Sequence, residues 1–176
     1  MTPEHVLIVG GGLAGPALAL ALARKNIRST VFEIRPSRGD SGGSLSLAPN
    51  ALNALDKGIG VYDQVRSAGF TYHRIGAYAD DGYKFGDIRM CEEGGQGNYP
   101  LIRLPRPALH KILLDACAER DGVIKVVWGA TLTKIQENQD GVTAFFEDGS
   151  NAIGHYLLFL IGRFKLTSFE WGQATS

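Results

Sequence analysis

The sequence predicts an α/β fold: a parallel sheet flanked by helices, an antiparallel meander crossing over, and a partial second lobe. Three observations carry that prediction. The apolar run Val6-Leu7-Ile8-Val9 leads straight into Gly10-Gly11-Gly12-Leu13-Ala14-Gly15 and then into an alanine- and leucine-rich segment, which reads as strand, tight turn and helix. A second strand-like run, Ser29-Thr30-Val31-Phe32-Glu33, completes a strand–helix–strand unit. Further on, an amphipathic helix precedes the apolar run of residues 123–128, and short alternating runs joined by turn signals follow it.

Gly10, Gly12 and Gly15 stand at G-x-G-x-x-G spacing. The first glycine permits the sharp turn, the second lets backbone approach a pyrophosphate, and the third lets helix and strand pack closely. The helix N-terminus then offers N–H groups and a positive dipole end to the phosphates. Alone the pattern is weak, since 23 of 176 residues are glycine. Its place in a strand–helix–strand unit strengthens it. So does Glu33, which ends the second strand about 20 residues on, where a ribose-binding carboxylate belongs. The competing reading is an ordinary glycine turn with a surface glutamate. The unit as a whole is Rossmann-like.

Composition bounds the function. The length suits one domain, or one with a small lobe. With 44% hydrophobic residues the chain can bury a sizeable core. The formal net charge is +0 and the charges are scattered; without a basic stripe, nucleic acid is not expected as a partner. No apolar run reaches the roughly 18 residues of a membrane span. The first residues, Met1 to His5, lack the basic region of a signal peptide. Cys91 and Cys117 are too few and too far apart for a metal motif, so no metal is expected and the chain reads as reduced and intracellular, that is cytoplasmic.

The first helix is expected over residues 13–25, apolar nearly all round as a buried helix is, with Arg24 and Lys25 at its C-terminal dipole and Asn26 to end it. Residues 35–44 have loop composition. Residues 45–50 lead into a short helix containing Leu52 and Leu55, and another brief helix around Asp63 to Arg66 stops at Gly69. Residues 74–79 and 83–88 flank Asp80-Asp81-Gly82 and predict a hairpin. Residues 89–99 read as a mobile loop. Residues 101–104 form a short strand, and Pro105 and Pro107 open a helix whose Leu109, Ile112, Leu113, Ala116 and Cys117 follow i, i+3, i+4, i+7, i+8 spacing. Residues 123–128 predict a parallel core strand. Residues 131–137 and 142–147, joined by Gln139-Asp140-Gly141, predict a meander, and residues 156–161 a further buried strand. There is no internal repeat, and residues 163–176 have no clear period.

This order of motifs resembles the N-terminal half of the FAD-dependent aromatic-ring monooxygenases, the single-component flavoprotein hydroxylases related to salicylate and p-hydroxybenzoate hydroxylase. The likeness spans about residues 5–162. It rests on the fingerprint from Val6 to Gly15 followed by Pro16-Ala17-Leu18-Ala19, on Glu33, on Gly42-Gly43-Ser44-Leu45-Ser46-Leu47-Ala48-Pro49-Asn50-Ala51, and on Arg103-Leu104-Pro105-Arg106-Pro107-Ala108-Leu109-His110. The resemblance implies FAD as cofactor, NAD(P)H and O2 as co-substrates, and hydroxylation of a small aromatic-type substrate. It implies that Gly10, Gly12 and Gly15 cradle the FAD pyrophosphate, that Glu33 holds the adenosine ribose, that backbone near Gly43 and Ser44 lies close to the flavin end, and that Arg106 reaches the cofactor. The family often has glycine where Ser44 stands. Read without the family, Arg106 is a solvated helix-start arginine or a salt-bridge partner, and Arg103 is the alternative functional arginine.

The domain expectation is a dinucleotide-binding domain over residues 1–162, carrying part of a substrate lobe at about 71–104, and an irregular tail over 163–176. The family continues past Gly162 with Ala-Asp-Gly, where this chain reads Arg163-Phe164-Lys165. A later Gly-Asp motif is absent too, so the expectation is a shortened chain with weak FAD binding and little or no hydroxylation. No catalytic residue is assigned, and substrate, nicotinamide preference and oligomeric state stay open. Two alternatives stay open as well: an NAD-binding oxidoreductase fragment, since Glu33 suits NAD equally, and a non-enzymatic partner-binding fragment. His110 reads as a helix-surface histidine, His73 and His155 as sheet or turn residues, Cys117 and Trp128 as core, Cys91 as an exposed loop thiol, and Asp80 and Asp81 as turn residues.

Overall fold

A computed structural model describes residues 4–39, 42–89, 99–160 and 170–173. The chain separates into two compact units. One comprises Met1–Asp40 and Leu113–Ser176, the other Ser41–Ile112.

The first unit is built on a parallel sheet. β1 (His5–Val9) pairs with β2 (Arg28–Glu33), with Val6 opposite Ser29 and Val9 opposite Phe32. β2 pairs with β8 (Ile124–Trp128), and β1 pairs on its other side with β12 (Tyr156–Phe159), giving the order β12-β1-β2-β8. Central strands of a parallel sheet are covered on both faces, which is why Val6, Leu7, Ile8 and Val9 form a continuous buried run. The α/β class and the parallel sheet are as expected from the sequence.

Helix α1 (Ala14–Ala23) connects β1 to β2 and buries Gly15, Pro16, Ala19 and Leu20. Small residues on that face bring the helix close to the sheet. The chain leaves the helix through Asn26, whose φ of 58° is the left-handed conformation that asparagine tolerates.

The meander packs against the same sheet. β9 (Leu132–Asn138), β10 (Gly141–Phe146) and β11 (Asn151–Gly154) run antiparallel. Their inward residues Ile135, Val142, Ala144 and Phe146 join Leu7 and Phe32 in one core. The Phe32 and Phe146 rings lie 4.5 Å apart at 30°. Full burial of side chains such as Leu7 and Ile135 contributes about 1.5–3 kcal/mol each. His5 ties the layers together: its Nδ1 is 3.1 Å from the Ile153 carbonyl oxygen and its Nε2 is 2.9 Å from Thr30 Oγ1. Within the stretch read as an irregular tail, Glu170–Gln173 forms β13 beside β9, in parallel.

The second unit holds a three-stranded sheet in the order β3-β7-β4, formed by β3 (Ser44–Leu47), β4 (Phe70–Tyr72) and β7 (Leu101–Pro105). Between β3 and β4 lie α2 (Pro49–Asn53), a π-helical turn (Ala54–Ile59) and α3 (Tyr62–Ala68). Leu52, Leu55, Ile59, Val61 and Val65 are buried with Ile102 and Leu104. The expected hairpin is present as β5 (Arg74–Tyr78) and β6 (Lys84–Arg89). Most of the expected mobile loop lies outside the described residues, as does Cys91. α4 (Arg106–Ala118) starts in the second unit and ends in the first.

Three expectations need correction. β12 is not a buried strand: Tyr156, Leu158 and Phe159 are 60%, 40% and 37% exposed, because it stands at the sheet edge beside β1 alone. His110 is buried at 4% exposure, since it follows Leu109 on the stripe that continues through Leu113, Leu114 and Cys117. Trp128 is only half-buried, as β8 is the opposite edge strand.

Candidate functional site

In the first unit the turn after β1 sets bare backbone beside an acid. Gly10 has φ of 118°, a conformation that side chains rarely allow, and its N–H donates to the Phe32 carbonyl at 2.8 Å. That bond extends the pairing with β2 by one residue and carries the turn over the end of Glu33. The Gly11 N–H then donates to Glu33 Oε2 at 2.7 Å, and the Arg35 N–H donates to Oε1 at 3.0 Å. Each carboxylate oxygen therefore holds one amide, and the side chain is fixed at 9% exposure. A Cβ at Gly11 would lie 2.7 Å from the Glu33 Cβ.

Gly12 lies half-buried in the turn, and α1 begins two residues later. A Cβ at Gly15 would fall on the Gly10 carbonyl oxygen, so only glycine lets the first turn of the helix sit against the loop. The helix has no side-chain cap and no acidic residue in its first turn. Pro16 sits where a missing N–H costs nothing. The result is a cradle of backbone N–H groups at the positive end of a helix dipole, with a fixed carboxylate alongside. Those donors suit a diphosphate, and that acceptor suits vicinal ribose hydroxyls.

The second unit gathers the other expected residues. Gly42 has φ of 146°, and a Cβ there would meet Arg106 Cδ at 3.2 Å. The Arg106 N–H donates to the Gly43 carbonyl at 2.8 Å, closing the β3–β7 pairing, in which Ser44 stands opposite Pro105. Gly43, Ser44 and Arg106 are thus neighbours within this unit, while Gly10, Gly12, Gly15 and Glu33 are neighbours within the other. The half-buried Arg106 guanidinium has no hydrogen bond or ion pair among the described residues, so the salt bridge that the sequence allowed is not found there. Arg103 is engaged instead: its Nε and Nη2 donate to Ser44 Oγ at 3.1 and 2.9 Å.

Sequence reasoning passed over Gly11, Gly42 and the Arg35 amide. The two glycines sit inside glycine runs, so the signal was present, but spacing rules did not separate them from their neighbours. The Arg103–Ser44 pair arises from strands distant in sequence and had no local signal.

Other candidate groups stay apart from these clusters. Cys117 is 1% exposed, its Sγ is 3.6 Å from the Pro16 carbonyl oxygen, and burial pushes its pKa up to about 12. His73 and His155 are exposed in connecting segments. An open cavity of about 1040 Å³ in the first unit is lined by residues such as Glu4, Glu137, Asp140, His155 and Tyr156, and by none of the glycine-turn residues.

The sheet and turn of the first unit are those of a dinucleotide-binding α/β protein. The family model described as "FAD binding domain" matches residues 4–155, and the chain belongs to that family. FAD is the cofactor that the family binds. The chain is 35% identical over 157 residues to the FAD-dependent monooxygenase pynG of Aspergillus niger, covering 88% of this chain and 35% of that protein. It is 32% identical over 160 residues to 3-hydroxybenzoate 6-hydroxylase 1 of Aquipseudomonas alcaligenes, covering 88% of this chain and 39% of that one. The chain therefore spans less than two fifths of the length of these relatives. The crystal structure of p-nitrophenol 4-monooxygenase PnpA from Pseudomonas putida superimposes with a TM-score of 0.80 over 89% of this chain and 40% of that one, at 19% identity, and shows the shared fold. No helix among the described residues is long and apolar enough to cross a membrane.

Proposed function

We propose that this chain supplies the adenosine-diphosphate cradle of an intracellular FAD-dependent monooxygenase acting on a small aromatic-type substrate with NAD(P)H and O2. Gly10, Gly12 and Gly15 take the pyrophosphate, and Glu33 accepts from the adenosine ribose hydroxyls. Gly43 and Ser44 offer backbone toward the flavin end, and Arg106 supplies a cation to the cofactor. Residues 1–162 form the cofactor domain, with about 71–104 as part of a substrate lobe. When bound and reduced by nicotinamide, FAD supplies the oxygen-activating chemistry. The protein's own part is to bind, orient and shield it.

One observation carries the reading: the Glu33 carboxylate is held by the Gly11 and Arg35 amides against the bare turn. It needs no rearrangement to receive a ribose, which lowers the ordering cost of binding. The names of the relatives support the substrate class.

Titration of the purified chain with FAD, followed by flavin fluorescence, tests this. The expected result is saturable binding, weaker in Glu33→Gln by about tenfold, as for loss of one charged hydrogen-bond acceptor. FMN has no adenosine ribose, so its binding should not respond to the substitution. Equal losses for FAD and FMN, or none for either, would sink the assignment of Glu33.

A further inference from the structure

We propose that the outer edge of β5 pairs antiparallel with the same edge of a second copy of this chain, giving a four-stranded sheet β6-β5-β5-β6 with its two-fold axis at Ala77. Among the described residues β5 pairs with β6 alone, so its other edge carries backbone donors and acceptors with no strand beside them.

The two edges of the hairpin differ. β6 is bulged: Ala77 stands opposite Gly86 and Tyr78 opposite Lys84, which leaves Phe85 as the extra residue. A bulge and a lysine both discourage pairing at an edge. β5 has neither, and its Arg74, Ile75 and Tyr78 are exposed. The Ala79 N–H donates inward to the Tyr83 carbonyl at 2.7 Å. Inward and outward groups alternate along an antiparallel strand, so the backbone groups of Gly76 and Tyr78 point out.

The sequence of this edge is complementary to its own reverse. With Ala77 on the axis, Arg74 meets Asp80, Ile75 meets Ala79 and Gly76 meets Tyr78 of the second copy, and each contact occurs twice. Opposite charges pair at both ends, and each large side chain faces a small one, the matches that stabilise cross-strand neighbours. An axis at Gly76 or at Tyr78, the next registers of the same alternation, sets Arg74 opposite Tyr78 or Gly82, with no acid across from it. Both charges are available. Asp80 is exposed, with no hydrogen bond or ion pair among the described residues. Arg74 lies 3.9 Å from Asp87, a carboxylate that Lys84 already holds at 2.7 Å.

Sedimentation velocity of the full chain over a concentration series tests this, with circular dichroism to show that each variant is folded. A reversible monomer–dimer equilibrium is expected. Arg74→Asp sets two like-charged pairs across the axis, and so does Asp80→Arg; each should weaken the dimer at least about tenfold. Mixed in equal amounts, the two variants are matched again at both ends, and the mixture should dimerise about as tightly as wild type. A wild-type chain that stays monomeric at every concentration would overturn the proposal. So would a dimer that neither reversal weakens, which would form through another surface, or two folded variants whose mixture does not dimerise.

Discussion

The glycine turn at residues 10–15 leaves a strand that is buried along its length, whereas the segment at residues 42–44 enters a strand whose alternate residues are exposed. Both present backbone where a ligand is expected. In the first, every neighbour is already committed: Gly10 is bonded to Phe32, Gly11 to Glu33, and Gly15 is pressed on Gly10. In the second, side chains rather than backbone do the arranging, with Arg106 lying along Gly42 and Arg103 forked onto Ser44. A site set in a core is defined by what cannot be larger. A site set on a sheet face is defined by which polar groups find each other. Replacing the glycines of the first region should therefore act on folding, whereas substitutions in the second should act on binding alone.

The largest effect is expected at Gly15. Gly15→Val places a Cβ on the Gly10 carbonyl oxygen and should destabilise the fold by about 3 kcal/mol, at the upper end for overpacking, with FAD binding lost. Urea denaturation and flavin fluorescence would measure both; a variant of wild-type stability would break the contrast. Next is Arg106→Ala. No partner among the described residues is left behind, so stability should hold within about 0.5 kcal/mol while FAD affinity falls by about 1.5–3 kcal/mol. If the denaturation midpoint drops as far as the affinity, the distinction between the two regions fails.

Cys117 sharpens the comparison from inside the core. Its thiol, raised by burial from 9.0 to about 12, stays protonated in the folded chain at pH 8. Alkylation by iodoacetamide should then be at least about a hundredfold slower in the native chain than in urea, given that only the thiolate reacts. The sign of the linkage follows: the folded state keeps its proton longer, so this contribution to stability is full below pH 9 and is lost as pH rises toward 12. Denaturation at pH 8 and pH 10.5 should show a larger pH-dependent loss in wild type than in Cys117→Ala.

The smallest effect belongs to the surface. Arg38 Nη2 bonds Asp115 Oδ1 at 2.9 Å with both side chains well exposed. Arg38→Ala should cost no more than about 1 kcal/mol, and that cost should vanish in high salt. A cost that persists in high salt would mean that Arg38 contributes packing as well as charge.

The same contrast governs how much could be read in advance. The strand–turn–helix at residues 6–23, the amphipathic helix α4 and the hairpins around Gly82 and Gly141 depend on local pattern, and each was legible. Glu33 was legible because chain connectivity alone sets an acid at the end of β2 beside the turn. The β3-β7-β4 sheet was not, because its strands meet through pairing between distant segments. The burial of His110 follows from its position on the helical stripe and not from its residue type, which on a helix surface is ordinarily solvated. The openness of β12 was missed because an apolar run does not say whether it lies at the centre or the edge of a sheet. The backbone turn of the first unit is visible in the sequence as spacing, and the meeting of side chains in the second unit is not.

The pairing of β1 with β12 bears on how the chain is made. β1 meets β2 soon after both are synthesised, but its other edge waits until residues 156–159 have followed. Throughout that interval an apolar ladder from Val6 to Val9 stands half-matched, the kind of edge that other nascent chains can zip onto. Slow elongation over the intervening codons would lengthen that exposure.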